Sequence, residues 1–172
     1  MYLLAACLFV PAASAAAETE GTMDETRLVE LIDPFLREQG FVRLGFSWHR
    51  QHEDSILKID VQPAKYAPGP YVNLSVSYGR YGTATELTDL KFQVTTRLVS
   101  LVPDPPSLLE LTDLGNGFPE EERQEGLRYQ ILTFGLPWLD GLTKFENARA
   151  FLARRTSEAV FIVPEARTDL KP

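Results

Sequence analysis

Cysteine and histidine are scarce in this chain, with one Cys and two His in 172 residues. A single cysteine excludes an internal disulfide framework, and two histidines exclude any metal site that needs three or four Cys or His ligands. An excess of positive charge is also lacking. Lys and Arg number 17 against 24 Asp and Glu, for a formal net charge of -7, so a phosphate backbone is repelled unless a local basic stripe overcomes the total. The basic positions are too scattered to form one, and no nucleic-acid partner is expected. Long apolar runs are missing as well: the nearest to one lies within residues 1–17 and falls short of the ~20 residues that cross a bilayer. Gly79, Gly82, Gly115 and Gly117 form no phosphate-cradling pattern, and no cofactor is expected.

What remains is the balance of a folded domain. Hydrophobic residues make up 44% and charged residues 24%, which argues against global disorder or a fibrous repeat, and the length suits one hydrophobic core. We divide the chain into an apolar leader at 1–22, a single α+β domain at 24–155 and a C-terminal extension at 156–172. The leader permits two readings. Ala13-Ser14-Ala15 has the small-x-small form of a signal-peptidase site, which implies export, yet no Lys or Arg precedes the apolar run. The alternative starts translation at Met23, which implies a cytoplasmic protein. Cys7, behind Leu4-Ala5-Ala6, imitates a lipoprotein box with too few residues in front of it to work.

From Asp24 the pattern reads helix, strands, helices. Leu28, Leu31, Ile32, Phe35 and Leu36 recur at helical spacing, with Pro34 as a kink and Gly40 as the stop. Val42, Leu44, Phe46 and Trp48 then alternate with polar or small residues as one half-buried strand. A turn at 51–55 leads to a second strand over 56–62, and the proline-rich loop 63–70 to a third over 71–78. A fourth strand is expected over 92–98. Residues 103–119 hold four prolines and read as an irregular connection with at most a short element at 108–114. Glu120, Glu121 and Glu122 open a helix that Pro137 interrupts, Thr143 caps a final helix, Val160–Val163 adds a short strand, and 164–172 reads as a fraying tail. The fold class is α+β: one antiparallel sheet of about four strands, with an N-terminal helix and two C-terminal helices packed on one face.

Parity then assigns faces. Val42, Leu44, Phe46, Trp48, Leu57, Ile59, Val61, Val72, Leu74, Val76, Phe92, Val94 and Leu98 fall on the side awaiting helices. The other side carries Arg43, Ser47, His49, Lys58, Asp60, Gln62, Asn73, Ser75, Ser77, Gln93, Thr95 and Arg97, unusual in its amides and hydroxyls. Antiparallel sheets often leave one face to water, which accounts for polarity alone. Asn and Gln are nonetheless poor strand formers and call for a reason, so Gln62, Asn73 and Arg97 mark the centre of a candidate recognition surface.

Other constellations are thin. His49, His52, Glu53 and Asp54 offer metal-ligand chemistry, but hairpin turns are polar anyway and no metal is expected. Ser47 lacks the second glycine of a nucleophile elbow. Trp48 and Trp138 fit a core.

Gly40-Phe41, Gly45, Trp48-His49-Arg50, Val61-Gln62, Tyr71-Val72-Asn73-Leu74-Ser75-Val76, Arg97-Leu98 and Leu136-Pro137-Trp138-Leu139 together resemble the bacterial domain-of-unknown-function family numbered 4304. The resemblance spans roughly residues 24–155 and implies an α+β fold and a mostly cytoplasmic bacterial origin. Members tend to carry a His shortly before the strand-four Arg and a Trp after that strand. This chain has Gln93-Val94 and Leu109–Leu111 in those places.

Two functions remain open. One is a non-enzymatic binding or protein-interaction module that uses the polar sheet face. The other is an enzyme or ligand-processing domain in which Arg50, Asn73 and Arg97 surround a small anionic substrate. A concave pocket that gathers an Arg and a carboxylate such as Asp60 would favour the enzyme, and an open face the module.

Overall fold

The computed structural model describes residues 23–82, 87–155 and 158–171; the leader, with Cys7 and Ala13–Ala15, lies outside them. Its centre is one antiparallel sheet whose six strands follow chain order: β1 (Val42–Leu44), β2 (Ser47–Gln51), β3 (Ser55–Gln62), β4 (Tyr71–Tyr78), β5 (Val94–Arg97) and β6 (Val160–Ile162). Helices α1 (Met23–Glu38), α2 (Pro105–Thr112), α3 (Glu120–Gln130), α4 (Leu136–Asp140), α5 (Phe145–Ala153) and α6 (Arg167–Leu170) complete the domain. No helix among the described residues is long and apolar enough to cross a membrane.

The expectation of about four strands is corrected at both edges. The first expected strand is a hairpin. Gly45, at φ 59°, is followed by Phe46 at negative φ, the signature of a two-residue turn with glycine first, and Leu44 pairs with Ser47. At the far edge, β6 pairs with β5 through Val94 with Ile162 and Thr96 with Val160. The chain beyond it does not fray: Ala166 and Leu170 are fully buried, and the Tyr81 hydroxyl donates to Asp169 Oδ2 at 2.6 Å. Burial, with that hydrogen bond and the Asp169 charge, pushes the Tyr81 phenol up to about 12. The extension at 156–172 therefore belongs to the domain as far as it is described.

Paired residues share a face, so the turn at Gly45 inverts the parity of β1. Arg43 stands opposite Trp48, on the helix side, while Val42 and Leu44 stand opposite His49 and Ser47 and are 70% and 45% exposed. The assignment of Val42 and Leu44 to the core, and of Arg43 to the polar side, is thereby reversed. The rest of the helix side holds Leu57, Ile59, Val61, Val72, Leu74, Val76 and Val94, all buried. Burying each such side chain contributes about 1.5–3 kcal/mol before conformational entropy is counted.

Helices dock on that side through specific contacts. Trp48 Nε1 donates to Asp33 Oδ1 of α1 at 2.8 Å. Tyr78 donates to the Leu142 carbonyl at 2.8 Å and meets Phe145 edge-on, with ring centroids 5.1 Å apart. Helix α1 ends where Gly40, at φ 79°, lets its N–H reach the Arg37 carbonyl and that of buried Phe41 reach Leu36, a Schellman closure. Pro137 does not interrupt the helical run from Glu120. A π-helical turn at Ile131–Gly135 shifts the hydrogen-bond register just before the residue that has no N–H to give. There Gly135 lets the helix approach Leu74 and Leu98. The expected cap Thr143 donates instead to the Asp140 carbonyl at 2.9 Å, one residue outside the α5 N-cap, Lys144.

Candidate functional site

Among the described residues, no helix covers the face opposite Trp48. Its register runs in rows across the strands: Val42, His49, Lys58, Ser75, Thr95 and Phe161 in one, and Leu44, Ser47, Asp60, Asn73 and Arg97 in the next. The small hydroxyl residues Ser75 on β4 and Thr95 on β5 lie between the longer side chains of Lys58 on β3 and Phe161 on β6, and the difference in length leaves a trough. It is about 640 Å³ and open to solvent, with Lys58, Asp60 and Phe92 on one side and Arg97 and Phe161 on the other. On its floor the Ser75 and Thr95 hydroxyls are 3.1 Å apart.

The structure brings Gln62, Asn73 and Arg97 onto this face. Asn73 Nδ2 donates to Asp60 Oδ2 at 2.9 Å and to Gln62 Oε1 at 3.0 Å, a ladder that occupies both its donors. Asp60 Oδ1 meets Lys58 Nζ at 2.8 Å, so both carboxylate oxygens are engaged. Arg97 pairs with Asn73 across β4 and β5, and its guanidinium lies 4.0 Å over the Tyr71 ring. No acidic partner of Arg97 occurs among the described residues.

Arg50 is elsewhere. It shares a face with Trp48 two residues earlier, opposite buried Leu57, and reaches the helices: its Nη2 pairs with Asp140 and its Nη1 donates to the Gln39 carbonyl at 3.2 Å. Its charge also sits 4.7 Å over the Phe41 ring. The enzyme constellation of Arg50, Asn73 and Arg97 is therefore not assembled, because the sheet stands between its members. The signal was available in the sequence, since residues two apart in a strand point the same way.

Phe92 corrects a second expectation. It precedes β5, outside the alternation, and lies over the polar face, with Lys58 Nζ 4.5 Å from its ring centroid and the His49 ring 6.4 Å away. Beneath it His49 is 7% exposed. Burial and the Lys58 charge hold its pKa below the ordinary value against the opposing pull of Asp60, which favours neutral imidazole. His49 is thus on the sheet, apart from His52, Glu53 and Asp54 in the turn. No group of three or more His, Cys, Asp or Glu among the described residues is arranged to hold a metal ion. A hollow of about 780 Å³ opens at that turn, where Arg80 is stacked 4.0 Å over Phe145. Ser47 donates to the Leu44 carbonyl at 2.9 Å, a hairpin contact.

Sequence reasoning missed the apolar rim of the polar face. Val42, Leu44 and Phe161 are three of the six large hydrophobic residues that stand exposed among the described residues, and all three point to this side from the two edge strands. Comparison with protein-family models, with curated proteins and with solved structures returns no match.

Proposed function

We propose that this protein is a non-enzymatic interaction module and that the uncovered sheet face is its contact surface. One observation carries the reading: that face has a trough with a polar floor, and exposed apolar residues stand on both of its edge strands, Val42 and Leu44 on β1 and Phe161 on β6. That distribution suits a protein partner, because apolar anchors supply contact area and ordered polar groups supply specificity. The chemistry of the face supports recognition over catalysis. Asp60 has both oxygens occupied, and His49 is buried beneath Phe92, so neither is free to exchange a proton with a ligand in the trough. The resemblance to the 4304 family is part of the same proposal and rests on the short motifs quoted above.

A blocking substitution tests the reading. Thr95→Trp fills the trough from a half-buried position, and Arg149→Trp adds the same bulk to the exposed side of α5. With both variants folded, a partner that copurifies from the native host should be lost with Thr95→Trp and kept with Arg149→Trp. Retention by both, or loss by Arg149→Trp alone, would remove the sheet face from the account.

A further inference from the structure

We infer that the trough receives an extended acidic polypeptide segment and that Arg97 anchors one of its carboxylates. The inference rests on the sheet face being the contact surface and adds the chemistry of the occupant.

The trough differs in charge from the chain as a whole. The chain carries -7 overall, yet the charged residues lining the trough are Lys58, Asp60 and Arg97, two cations and one carboxylate. Lys58 is 2.8 Å from Asp60 and so is compensated, and Asn73 holds the second Asp60 oxygen. Arg97 is left as the uncompensated charge of the trough. Among the described residues its guanidinium donates no hydrogen bond. Stacked at 4.0 Å on Tyr71, it is held at low entropic cost while its N–H fork stays available for a planar carboxylate.

The shape of the trough suits a chain better than a small molecule. Sites for small molecules enclose most of their ligand, whereas this trough is open along its length and has small residues, Ser75 and Thr95, for a floor. An extended chain matches that form, because alternate side chains point down while the backbone stays at the rim. Phe92 and Phe161, on opposite sides, offer apolar contact to the residues between the acids. Gln62 accepts from Asn73 through Oε1, so its amide nitrogen remains as a further donor.

The test pans a randomised octapeptide library against the full chain and measures the selected peptides by fluorescence anisotropy on wild type, Arg97→Gln, Arg97→Lys and Thr95→Trp. The exposed-site variant Phe161→Glu, which sets a like charge and a lost apolar contact against an acidic segment, serves as the second block in case Thr95→Trp does not fold. Enrichment of Asp and Glu is expected, with affinity falling about tenfold or more in Arg97→Gln and less in Arg97→Lys, as loss of a charged fork and then of its geometry alone would give. Either blocking variant should abolish binding. Peptides that are blocked but show no acidic excess, or that ignore Arg97→Gln, would overturn the acidic occupant and leave the sheet face standing. Glutarate or inorganic phosphate competing as well as the peptide would replace the polypeptide with a small anion. Peptides insensitive to both blocks, or no selected peptide at all, would overturn the sheet face as well.

Discussion

Asn73 and Arg97 stand directly opposite each other on β4 and β5, on the face no described helix covers, and their side chains do different work. Asn73 is buried and turns inward to Asp60 and Gln62, while Arg97 lies exposed over Tyr71. One is tied into the face by its hydrogen bonds, and the other has no acidic partner among the described residues.

That division predicts opposite mutational profiles. Asn73→Ala removes two hydrogen bonds and should destabilise the fold by about 1–2 kcal/mol. Arg97→Gln should stay within about 0.5 kcal/mol of wild type. Urea denaturation measures both. Equal losses would mean that Arg97 is part of the scaffold.

Arg123 is 2% exposed, and its Nη1 donates to the carbonyls of Glu110, Leu111 and Asp113 at 3.1, 2.7 and 2.9 Å, while Nη2 donates to Asn116 Oδ1 at 2.8 Å. It fastens the turn-rich connection between α2 and α3. Arg123→Met strands those acceptors and should cost about 3–5 kcal/mol, with faster amide exchange over residues 113–118. Lysine, with no planar fork, should recover only part of that loss.

Gly69 lies against the Thr112 carbonyl so closely that a Cβ would fall far inside contact distance. Gly69→Ala must therefore push the loop before β4 away from the end of α2, at about 1–3 kcal/mol. A thermal shift relative to wild type reads the cost, and an unchanged melting temperature would refute the close approach.

Asp33 links stability to pH. Burial raises its carboxyl, but hydrogen bonds from Trp48 and Arg37 and the charges of Arg37 and Arg43 outweigh it and hold the pKa below the ordinary 3.8. A depressed folded value stabilises the fold above the unfolded pKa, and the contribution disappears as pH falls through the folded one. Asp33→Asn keeps an acceptor for Trp48 and removes the charge. Wild type should be about 1 kcal/mol more stable than the variant at pH 7, with the difference shrinking toward zero in acid below that range. A gap of constant size would exclude the charge as its source.

The long strands β3 and β4 were legible because each buries one whole side, so the alternation at Leu57, Ile59 and Val61 and at Val72, Leu74 and Val76 is uninterrupted. The hairpin at Gly45 was hidden by its own economy. A two-residue turn needs one glycine and leaves Val42, Leu44, Phe46 and Trp48 in apparent step, although pairing of Leu44 with Ser47 puts the first two on the far side from Trp48. Arg123 gave no signal at all, since an arginine in a Glu-rich helix reads as solvated until the connection in front of that helix folds back to supply the carbonyls. Gln62, Asn73 and Arg97 could be placed on one face by parity alone. The apolar rim around them depended on the hairpin and could not.

Photo-crosslinking in the native host tests the central claim most directly, with the crosslinking side chain placed in turn at Gln62, Thr95, Phe161 and, on α5, Arg149. One shared adduct is expected from the three sheet positions and none from Arg149. An adduct at Arg149 with none from the sheet would contradict the claim.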